Sequence, residues 1–535
     1  MNMDEIRTFL EEEWRFGQGG ESTIVAALRE FITIKNDSPD FDKDWQKNGE
    51  MYRASDLLVA TIEKLKTEWA AKGCKADDVS ITVRGRTEPE YDPQGRVLTP
   101  LLLVDVPAFG GTPPEGTVLL YGHMDKQPGL DEKWSEGLGP RKPVITPEGR
   151  LYGRGGADDG YAVFSAFSAI MALRKQGVAH ARCTILIEAC EESGSIGLDY
   201  YLNEIKASLG DVTLIVCLDS GCENYEQLWL TTSLRGLANG VLDVRTIRDG
   251  VHSGDASGIV PSSFRILNRL IARVEDPETG EITPGELKVI IRPDIREQAE
   301  KTAEKLGDGI IKKYNFLSDP EVQPVTGDLT ELVLNRTWRA QLSVTGMDGL
   351  PKPDDAGNVM LPQTTAKLSF RLPPTLDSSD AGEFLKEALT RNPPYNAHAT
   401  FTLDSTGNGW AAPQLKSWLE KALEQASNDF FGTGFLAMGE GGSIPFMGLL
   451  GEMFPKAQFI ITGVLGPHSN AHGPDEFLDI PMARKVSMCV ASCLAEHCRA
   501  ALVPDNAAGA DRKNTWGSHP CCGHSHTHGS GRCSI

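Results

Sequence analysis

A short apolar segment that ends in a histidine constrains the fold of this chain more than any other stretch. Val118 to Tyr121 form the segment, and Gly122-His123-Met124-Asp125 follow it. An apolar run of this length, closed by a turn residue, predicts a buried strand with His123 at its carboxyl end. Open α/β sheets bind their ligands at that end of their strands. His123 is therefore a candidate metal ligand, and Asp125 is a candidate partner for the second nitrogen of its ring.

Two further apolar runs lead into carboxylates in the same way. Residues 184–188 are followed closely by Glu191-Glu192, and residues 213–218 are followed by Asp219. A helical pattern over residues 161–176 precedes the first of these runs, so strands alternate with helices. This alternation predicts an α/β fold with a mostly parallel sheet and helices on both faces.

The pattern changes after about Tyr225, where a smaller domain interrupts the first. Strand-like segments at residues 230–244, 364–372 and 399–403, together with two helical stretches, predict an α+β sandwich. The polar region 276–352 has no internal order that its pattern assigns. We predict an α/β domain in two parts, residues 1–230 and 406–504, an inserted domain over residues 231–405, and a disordered Cys- and His-rich tail, residues 505–535.

Charge and composition exclude several classes of protein. With 53 Lys and Arg against 74 Asp and Glu, the 535-residue chain has a net charge of −21. Such a chain repels phosphate backbones and anionic lipid, so we expect neither nucleic-acid nor membrane binding. The acidic residues 1–15 do not resemble a signal peptide, and the eleven cysteines are then expected to be reduced thiols in a cytoplasmic protein.

The candidate ligands form one chemically consistent set. Carboxylates that converge at strand ends repel one another and are hard to desolvate without cations between them. Two divalent metal ions that share a bridging carboxylate solve this problem and provide a hydrolytic site. Imidazole and carboxylate ligands suit Zn²⁺ best and also accept Mn²⁺ or Co²⁺. The candidates are His123, Asp158 or Asp159, Glu191 or Glu192, Asp219, and His468 or His472.

Five ordered segments carry a resemblance to a known family. They are Gly122-His123-Met124-Asp125, Gly153-Arg154-Gly155-Gly156-Ala157-Asp158-Asp159, Glu191-Glu192-Ser193-Gly194-Ser195, Leu218-Asp219 and His472-Gly473-Pro474-Asp475-Glu476. Together they resemble the di-metal metallopeptidase family of aminoacylases and carnosinase-type dipeptidases, nearest to cytosolic nonspecific dipeptidases. Relatives often have a lysine where this chain has Gly160, so contacts around that loop are expected to differ.

The resemblance implies a role for each matched position. Asp158 resembles the carboxylate that bridges two metal ions, and Asp125 the partner that orients a histidine ligand. Glu191 matches the general base that takes a proton from a metal-bridging water. His123 and Asp219 are implied to complete one metal site, and Glu192 and His472 the other. The register of the motifs favours Asp158 over Asp159, and the spacing to Asp475-Glu476 favours His472 over His468.

Three further matches imply contacts to substrate. His252, in Val251-His252-Ser253-Gly254, resembles a histidine that stabilises the oxyanion in the partner subunit's site. Arg371 resembles an arginine that holds the substrate carboxylate, and Gly442 with Ser443 resembles a loop that holds the same end. These matches imply a homodimer formed through residues 231–405, which would act as a lid and dimerisation domain. The alternatives are a turn position for His252 and a surface charge for Arg371.

The implied activity is metal-dependent hydrolysis of dipeptides or short peptides. Relatives that are deacylases usually carry glutamate at the position of Asp219, whereas dipeptidases usually carry aspartate. The alternative is an N-acyl-amino-acid amidohydrolase that uses the same di-metal site. A catalytically silent binding protein is disfavoured because Glu191 and every matched ligand are present.

Overall fold

A six-stranded sheet lies at the centre of the fold. The computed structural model describes residues 1–110, 116–318, 320–442 and 445–501. Across the central sheet the strands are Ser80–Arg84, Leu101–Val106, Arg182–Glu188, Thr117–His123, Val212–Cys217 and Gln458–Ile461. The last four run parallel to one another, and the first two are antiparallel to their neighbours. The predicted α/β class with a mostly parallel sheet is confirmed.

Both faces of the central sheet are covered by helices. Thr117–His123 is buried throughout its length. Because side chains alternate between the faces of a strand, Val118 and Leu120 pack in one apolar cluster with the helix Ala162–Lys175. Leu119 and Tyr121 pack in a second cluster on the other face, with the helix Leu198–Leu209. Burial on both faces explains why this strand is a continuous apolar run.

A second sheet is built from the middle of the chain. Its antiparallel strands, in spatial order, are Gln341–Asp348, Gln363–Leu372, Gly236–Arg245 and His398–Gly407. Residues along Gly236–Arg245 alternate between buried and partly exposed, so one face of the sheet is buried. The helices Ser263–Ile271 and Ser378–Thr390 cover that face. This sheet is the predicted α+β unit, whereas the domain boundaries stay a prediction.

The single strand predicted over residues 230–244 is wrong. The chain forms Trp229–Leu234, which pairs with Leu436–Glu440 and Trp410–Ala411, and then enters the second sheet as Gly236–Arg245. The break falls where backbone packs on backbone: a Cβ at Gly236 would lie 2.8 Å from the carbonyl oxygen of Gly407. Apolar periodicity does not reveal such a contact.

The remaining elements lie around these sheets. The region 276–352, which the sequence leaves unassigned, contains the helices Pro293–Leu306, Gly309–Lys312 and Leu329–Thr337. The tail, residues 505–535, lies outside the described residues. Short strands are Val144–Ile145, Arg150–Tyr152, Phe477–Asp479, Val251–His252 and Val359–Met360. The other helices are Met3–Glu13, Thr23–Thr33, Trp45–Asn48, Glu50–Ala71, Ser253–Ala256, Ser417–Phe431, Pro445–Met453 and Ile480–Ala501.

Within the described ranges, no helix has both the length and the apolar character required to cross a bilayer.

A buried histidine makes the stability of the fold depend on pH. His180 contacts the carbonyl oxygen of Ala181 through Nδ1 (2.7 Å), and its Nε2 accepts a hydrogen bond from Nε of Arg174 (3.1 Å). Only the neutral ring with its proton on Nδ1 satisfies both contacts. Burial, with a contribution from the Arg174 charge, lowers the pKa of His180 from 6.5 to about 4.

We expect His180→Gln to flatten the acid limb of the stability profile. Since the folded-state pKa is depressed, the contribution of His180 is present above pH 6.5 and is lost as the pH falls through about 4. The pKa shift corresponds to a decrease in the free energy of unfolding on the order of 3 kcal/mol between these two pH values. Melting temperatures between pH 7 and pH 4 measure it. His398→Gln, at an exposed position, is the control; parallel profiles for His180→Gln and the unmodified chain would contradict the account.

Candidate active site

His123 ends the central strand and lies in a ring of carboxylates. It is buried, and its Nε2 lies 3.2 Å from Oδ1 of Asp158 and 3.8 Å from Oδ1 of Asp219. On the other side of the ring, Nδ1 lies 3.1 Å from the carbonyl oxygen of Asp125 and 3.5 Å from its Oδ1. Burial disfavours the charged ring, but these carboxylates raise the pKa of His123 well above its ordinary value.

Asp158 lies between the two predicted histidine ligands. Its Oδ1 faces His123, and its Oδ2 lies 3.1 Å from Nε2 of His472. Although burial opposes ionisation, the two histidines lower the pKa of Asp158. The peptide bond between Asp158 and Asp159 is cis. A carboxylate with one oxygen directed at each histidine has the arrangement that a bridging ligand requires.

Glu192 completes the His472 side of the cluster. Its Oε2 lies 3.3 Å from Nε2 of His472 and accepts a hydrogen bond from Nε2 of Gln127 (2.7 Å). Its Oε1 is buried and has no hydrogen-bond partner among the described residues. Burial and the charge of Asp158 raise the pKa of Glu192 to about 10.

Asp125 joins the strand end to the turn that carries the two glutamates. Its Oδ1 accepts a hydrogen bond from the backbone N–H of Glu191 (3.1 Å), and its Oδ2 accepts one from that of Glu192 (3.0 Å). The same carboxylate faces Nδ1 of His123. Burial, followed by the charge of Asp219, raises the pKa of Glu191 well above its ordinary value. One buried carboxylate thus fixes the orientation of three functional positions.

The donor atoms fit divalent metal ions. Within the described ranges, one potential metal site combines His123, Asp158 and Glu192, and another combines His123, Asp159 and Asp219; ligand atoms within each group lie within 4.8 Å of one another. Burial and mutual repulsion raise the pKa values of Glu191, Glu192 and Asp159, so the cluster is short of positive charge. Cations placed between these oxygens would offset that repulsion and satisfy the buried Oε1 of Glu192.

The geometry distinguishes Asp158 from Asp159, and His468 from His472, two choices that the residues alone left open. Asp159 contacts only the His123 side, where its Oδ2 accepts a hydrogen bond from the backbone N–H of His123 (3.2 Å), whereas Asp158 contacts both histidines. Asp158 is therefore better placed to bridge. The two loop histidines are both exposed, and His472 is the one whose Nε2 contacts Asp158 and Glu192 among the described residues.

The sequence profile of peptidase family M20/M25/M40 matches residues 119–496. The chain belongs to this peptidase family. The matched range includes every residue of the cluster, and family members that are metallopeptidases use divalent metal ions, in agreement with the donor set described above.

Individual relatives cover most of the chain. It is 27% identical over 386 residues to the cysteinylglycine-S-conjugate dipeptidase of Corynebacterium striatum, covering 71% of this chain and 80% of the relative. It is 24% identical over 491 residues to the Cys-Gly metallodipeptidase dug1 of Schizosaccharomyces pombe, covering 90% and 95%. The solved structure of the di-peptidase Dug1p from Saccharomyces cerevisiae superposes with a TM-score of 0.65 at 20% identity, over 94% of this chain and 99% of that one. This last likeness shows the shared fold.

Among the described residues, His252, Arg371 and Gly442 form no hydrogen bond or ion pair with the cluster. His252 is exposed in a short strand, where it pairs with Val359. Arg371 lies half-buried in the second sheet, opposite Leu237. The carbonyl oxygen of Gly442 accepts a hydrogen bond from the backbone N–H of Arg235 (3.0 Å), and Ser443 lies outside the described residues. The roles of these four positions stay predictions.

A buried ion pair that sequence reasoning missed holds the ligand loops together. The guanidinium of Arg154 pairs with the carboxylate of Glu476, and both side chains are buried. Arg154 also donates to the carbonyl oxygens of Pro128 (3.2 Å) and Gly473 (2.8 Å), while Glu476 accepts from the N–H of Gly155 (2.9 Å). The pair therefore links three loops. They are the loop after His123, the loop before Asp158 and the loop after His472. The only hint in the sequence is a charged residue inside each motif.

We expect Glu476→Gln to lower both stability and metal affinity. Removing one partner of a buried ion pair leaves the Arg154 guanidinium uncompensated, which typically costs about 3–5 kcal/mol. Because Arg154 positions the loops, the metal content per chain should fall as well. Melting temperature and metal content after dialysis measure the two effects. Asp475→Asn, at the adjacent half-buried carboxylate, is the matched control; indistinguishable behaviour of the two variants would show that the ion pair does not position the loops.

Proposed function

We propose that this chain hydrolyses dipeptides or short peptides in a reaction that requires divalent metal ions. The observation that carries the proposal is the placement of Asp158 between His123 and His472, with Glu191 and Glu192 beside them. Membership of a peptidase family and similarity to curated dipeptidases over most of the chain support it.

The proposed centre holds two metal ions. His123 and Asp219 would hold one, Glu192 and His472 the other, and Asp158 would bridge them. Nitrogen and carboxylate donors favour Zn²⁺, with Mn²⁺ and Co²⁺ as alternatives. When bound, such ions lower the pKa of water and polarise the scissile carbonyl. Asp125 would fix the ring of His123, since its carboxylate faces Nδ1.

Glu191 is the proposed general base. Its position at the carboxyl end of the sheet lets the carboxylate take a proton from the attacking water and deliver it to the leaving amine. Burial and the nearby charge of Asp219 raise the pKa of its carboxyl group. Cations in the proposed centre would offset this shift and leave the carboxylate free to accept the proton, and Asp125 holds its backbone in place.

Substrate binding is proposed to involve the second sheet and a partner subunit. Arg371, Gly442 and Ser443 would hold the carboxylate of the substrate's C-terminal residue. His252 would reach the active site of the partner subunit in a homodimer and stabilise the oxyanion. Its exposure in the single chain supports this role, because a side chain that acts on a partner is free of its own subunit. Residues 231–405 would then form the lid and dimerisation domain.

The proposal also includes a cellular location and a substrate preference. A cytoplasmic location is supported by the eight described cysteines, all buried as free thiols. A dipeptide substrate is favoured over an N-acyl amino acid because the curated relatives reported above are dipeptidases. Comparing turnover of dipeptides with turnover of their N-acetyl analogues tests this preference.

Glu191→Gln should abolish turnover and leave the metal content unchanged. The amide cannot accept the proton of the attacking water, whereas the ligands of the centre are untouched. Glu192→Gln is the matched comparison and should lower the metal content, since Glu192 is a proposed ligand. Turnover of a dipeptide and metal content per chain are measured on both variants. Substantial turnover by Glu191→Gln would remove Glu191 from the mechanism.

His252→Ala should lower kcat more than it changes KM, because an oxyanion donor acts mainly in the transition state. A mixture of His252→Ala and Glu191→Gln subunits, allowed to exchange, distinguishes action in the partner's site from action in its own. Each mixed dimer then contains one intact site, so about a quarter of the normal activity should return. Recovery of activity supports the proposed dimer; two inactive proteins that stay inactive after exchange argue against it.

A further inference from the structure

A cavity of about 320 Å³ is lined by the helices of region 276–352, by Arg235 and by Met438 of the strand Leu436–Glu440. We name it the arginine pocket because Arg235 and Arg336 form one side of it. Its volume is at the lower end of the range for small-molecule sites. The apolar part of the lining includes Leu306, Ile310, Ile311, Val333 and Met438.

Arg235 is a buried cation without a carboxylate partner in the described part of the chain. It is 8% exposed, and its guanidinium donates to the carbonyl oxygens of Gly441 (3.2 Å) and Asn335 (3.4 Å). Burial and the charges of Arg371 and Arg336 lower its pKa to about 10. A buried charge that faces like charges is unfavourable unless a counter-ion accompanies it.

Arg336, the other cation that lines the pocket, has a carboxylate partner. Arg336 pairs with the carboxylate of Glu223 (2.6 Å), and Lys313 lies 3.5 Å from the same carboxylate. One negative charge is thus shared by two cations, while Arg235 has carbonyl oxygens alone. The pocket therefore presents a net positive end and an apolar wall.

We propose that the arginine pocket binds a small carboxylate with an apolar tail, the carboxylate on Arg235 and the tail against Ile310, Ile311 and Val333. A guanidinium suits a carboxylate because it offers parallel N–H donors. The apolar lining disfavours a purely hydrophilic anion as the ligand, since an apolar tail buried there is removed from water. Binding of a substrate here would rest on the proposed function, whereas binding of a separate carboxylic acid does not.

Two kinds of ligand have this chemistry, and one strand links the pocket to the neighbourhood of Asp219. Met438, in the strand Leu436–Glu440, lines the pocket. At the end of that strand, Glu440 accepts a hydrogen bond from the N–H of Gly221 (2.7 Å), two residues after Asp219. The ligand is either the apolar C-terminal residue of a substrate or a separate carboxylic acid that acts through this strand.

Calorimetric titration of the metal-loaded full chain tests the proposal. The probe is 4-phenylbutanoate, and its controls are 4-phenylbutanol, which lacks the charge, and propanoate, which lacks the tail. We expect 4-phenylbutanoate to bind at least about tenfold more tightly than either control, since each lacks one of the two interactions. Equal binding of the acid and the alcohol would overturn the proposal.

Variants locate the site and decide between the two sources. Arg235→Met and Ile310→Glu should each weaken binding of 4-phenylbutanoate by about tenfold or more, the second by charge repulsion at a half-buried position. Ile290→Glu adds the same charge at a residue that is 92% exposed and should not alter binding. Unchanged binding by Ile310→Glu would overturn the assignment even if Arg235→Met fails to fold. Inhibition competitive with a dipeptide assigns the pocket to the substrate, and non-competitive modulation assigns it to a separate ligand.

Discussion

Mutual repulsion among buried carboxylates is the interaction on which the rest of this structure depends. Parallel strands place the ends of Thr117–His123, Arg182–Glu188 and Val212–Cys217 at one edge of the central sheet. Each of these ends leads into acidic residues. Burial, and after it the charges of neighbouring carboxylates, raises the pKa values of Glu191, Glu192 and Asp159. Such an arrangement is unfavourable for a fold alone and becomes favourable when cations occupy it.

Buried polar contacts make this arrangement possible. Asp125 holds the glutamate turn against the histidine strand, and the Arg154–Glu476 pair joins the loops around the centre. Each contact replaces hydration that the buried groups have lost, so the loops keep one conformation. A metal centre of this kind therefore depends on the relative positions of several loops, even though each candidate ligand lies in a short motif.

Local chemistry determines what could be predicted from the sequence. A serine before an amphipathic run is a local signal for a helix start, and the hydroxyl of Ser22 accepts a hydrogen bond from the N–H of Val25. The buried strand before His123 was recognisable because both of its faces are apolar. The break at Arg235 was not, because it depends on backbone contacts with residues more than 150 positions away.

Long-range pairing also limits what sequence says about the candidate site. Arg154 and Glu476 are 322 residues apart, and no local pattern connects them. Local sequence likewise does not reveal that Arg235 lacks a carboxylate partner in the described part of the chain, because its surroundings include the distant region 276–352. Motif spacing predicts candidate ligands because their chemistry is local, whereas it does not identify the residues that position them.

Counting the metal ions bound per chain tests the central claim most directly. The measurement is made on a chain that ends at Pro504, so that the Cys and His residues of the tail do not contribute, and on the same chain with Asp158→Ala. The account predicts two divalent ions per chain, dipeptide hydrolysis that a chelator abolishes, and the loss of both ions in the variant that lacks the bridging carboxylate. A single ion per chain, or two ions that stay bound without Asp158, would contradict a centre built around this residue.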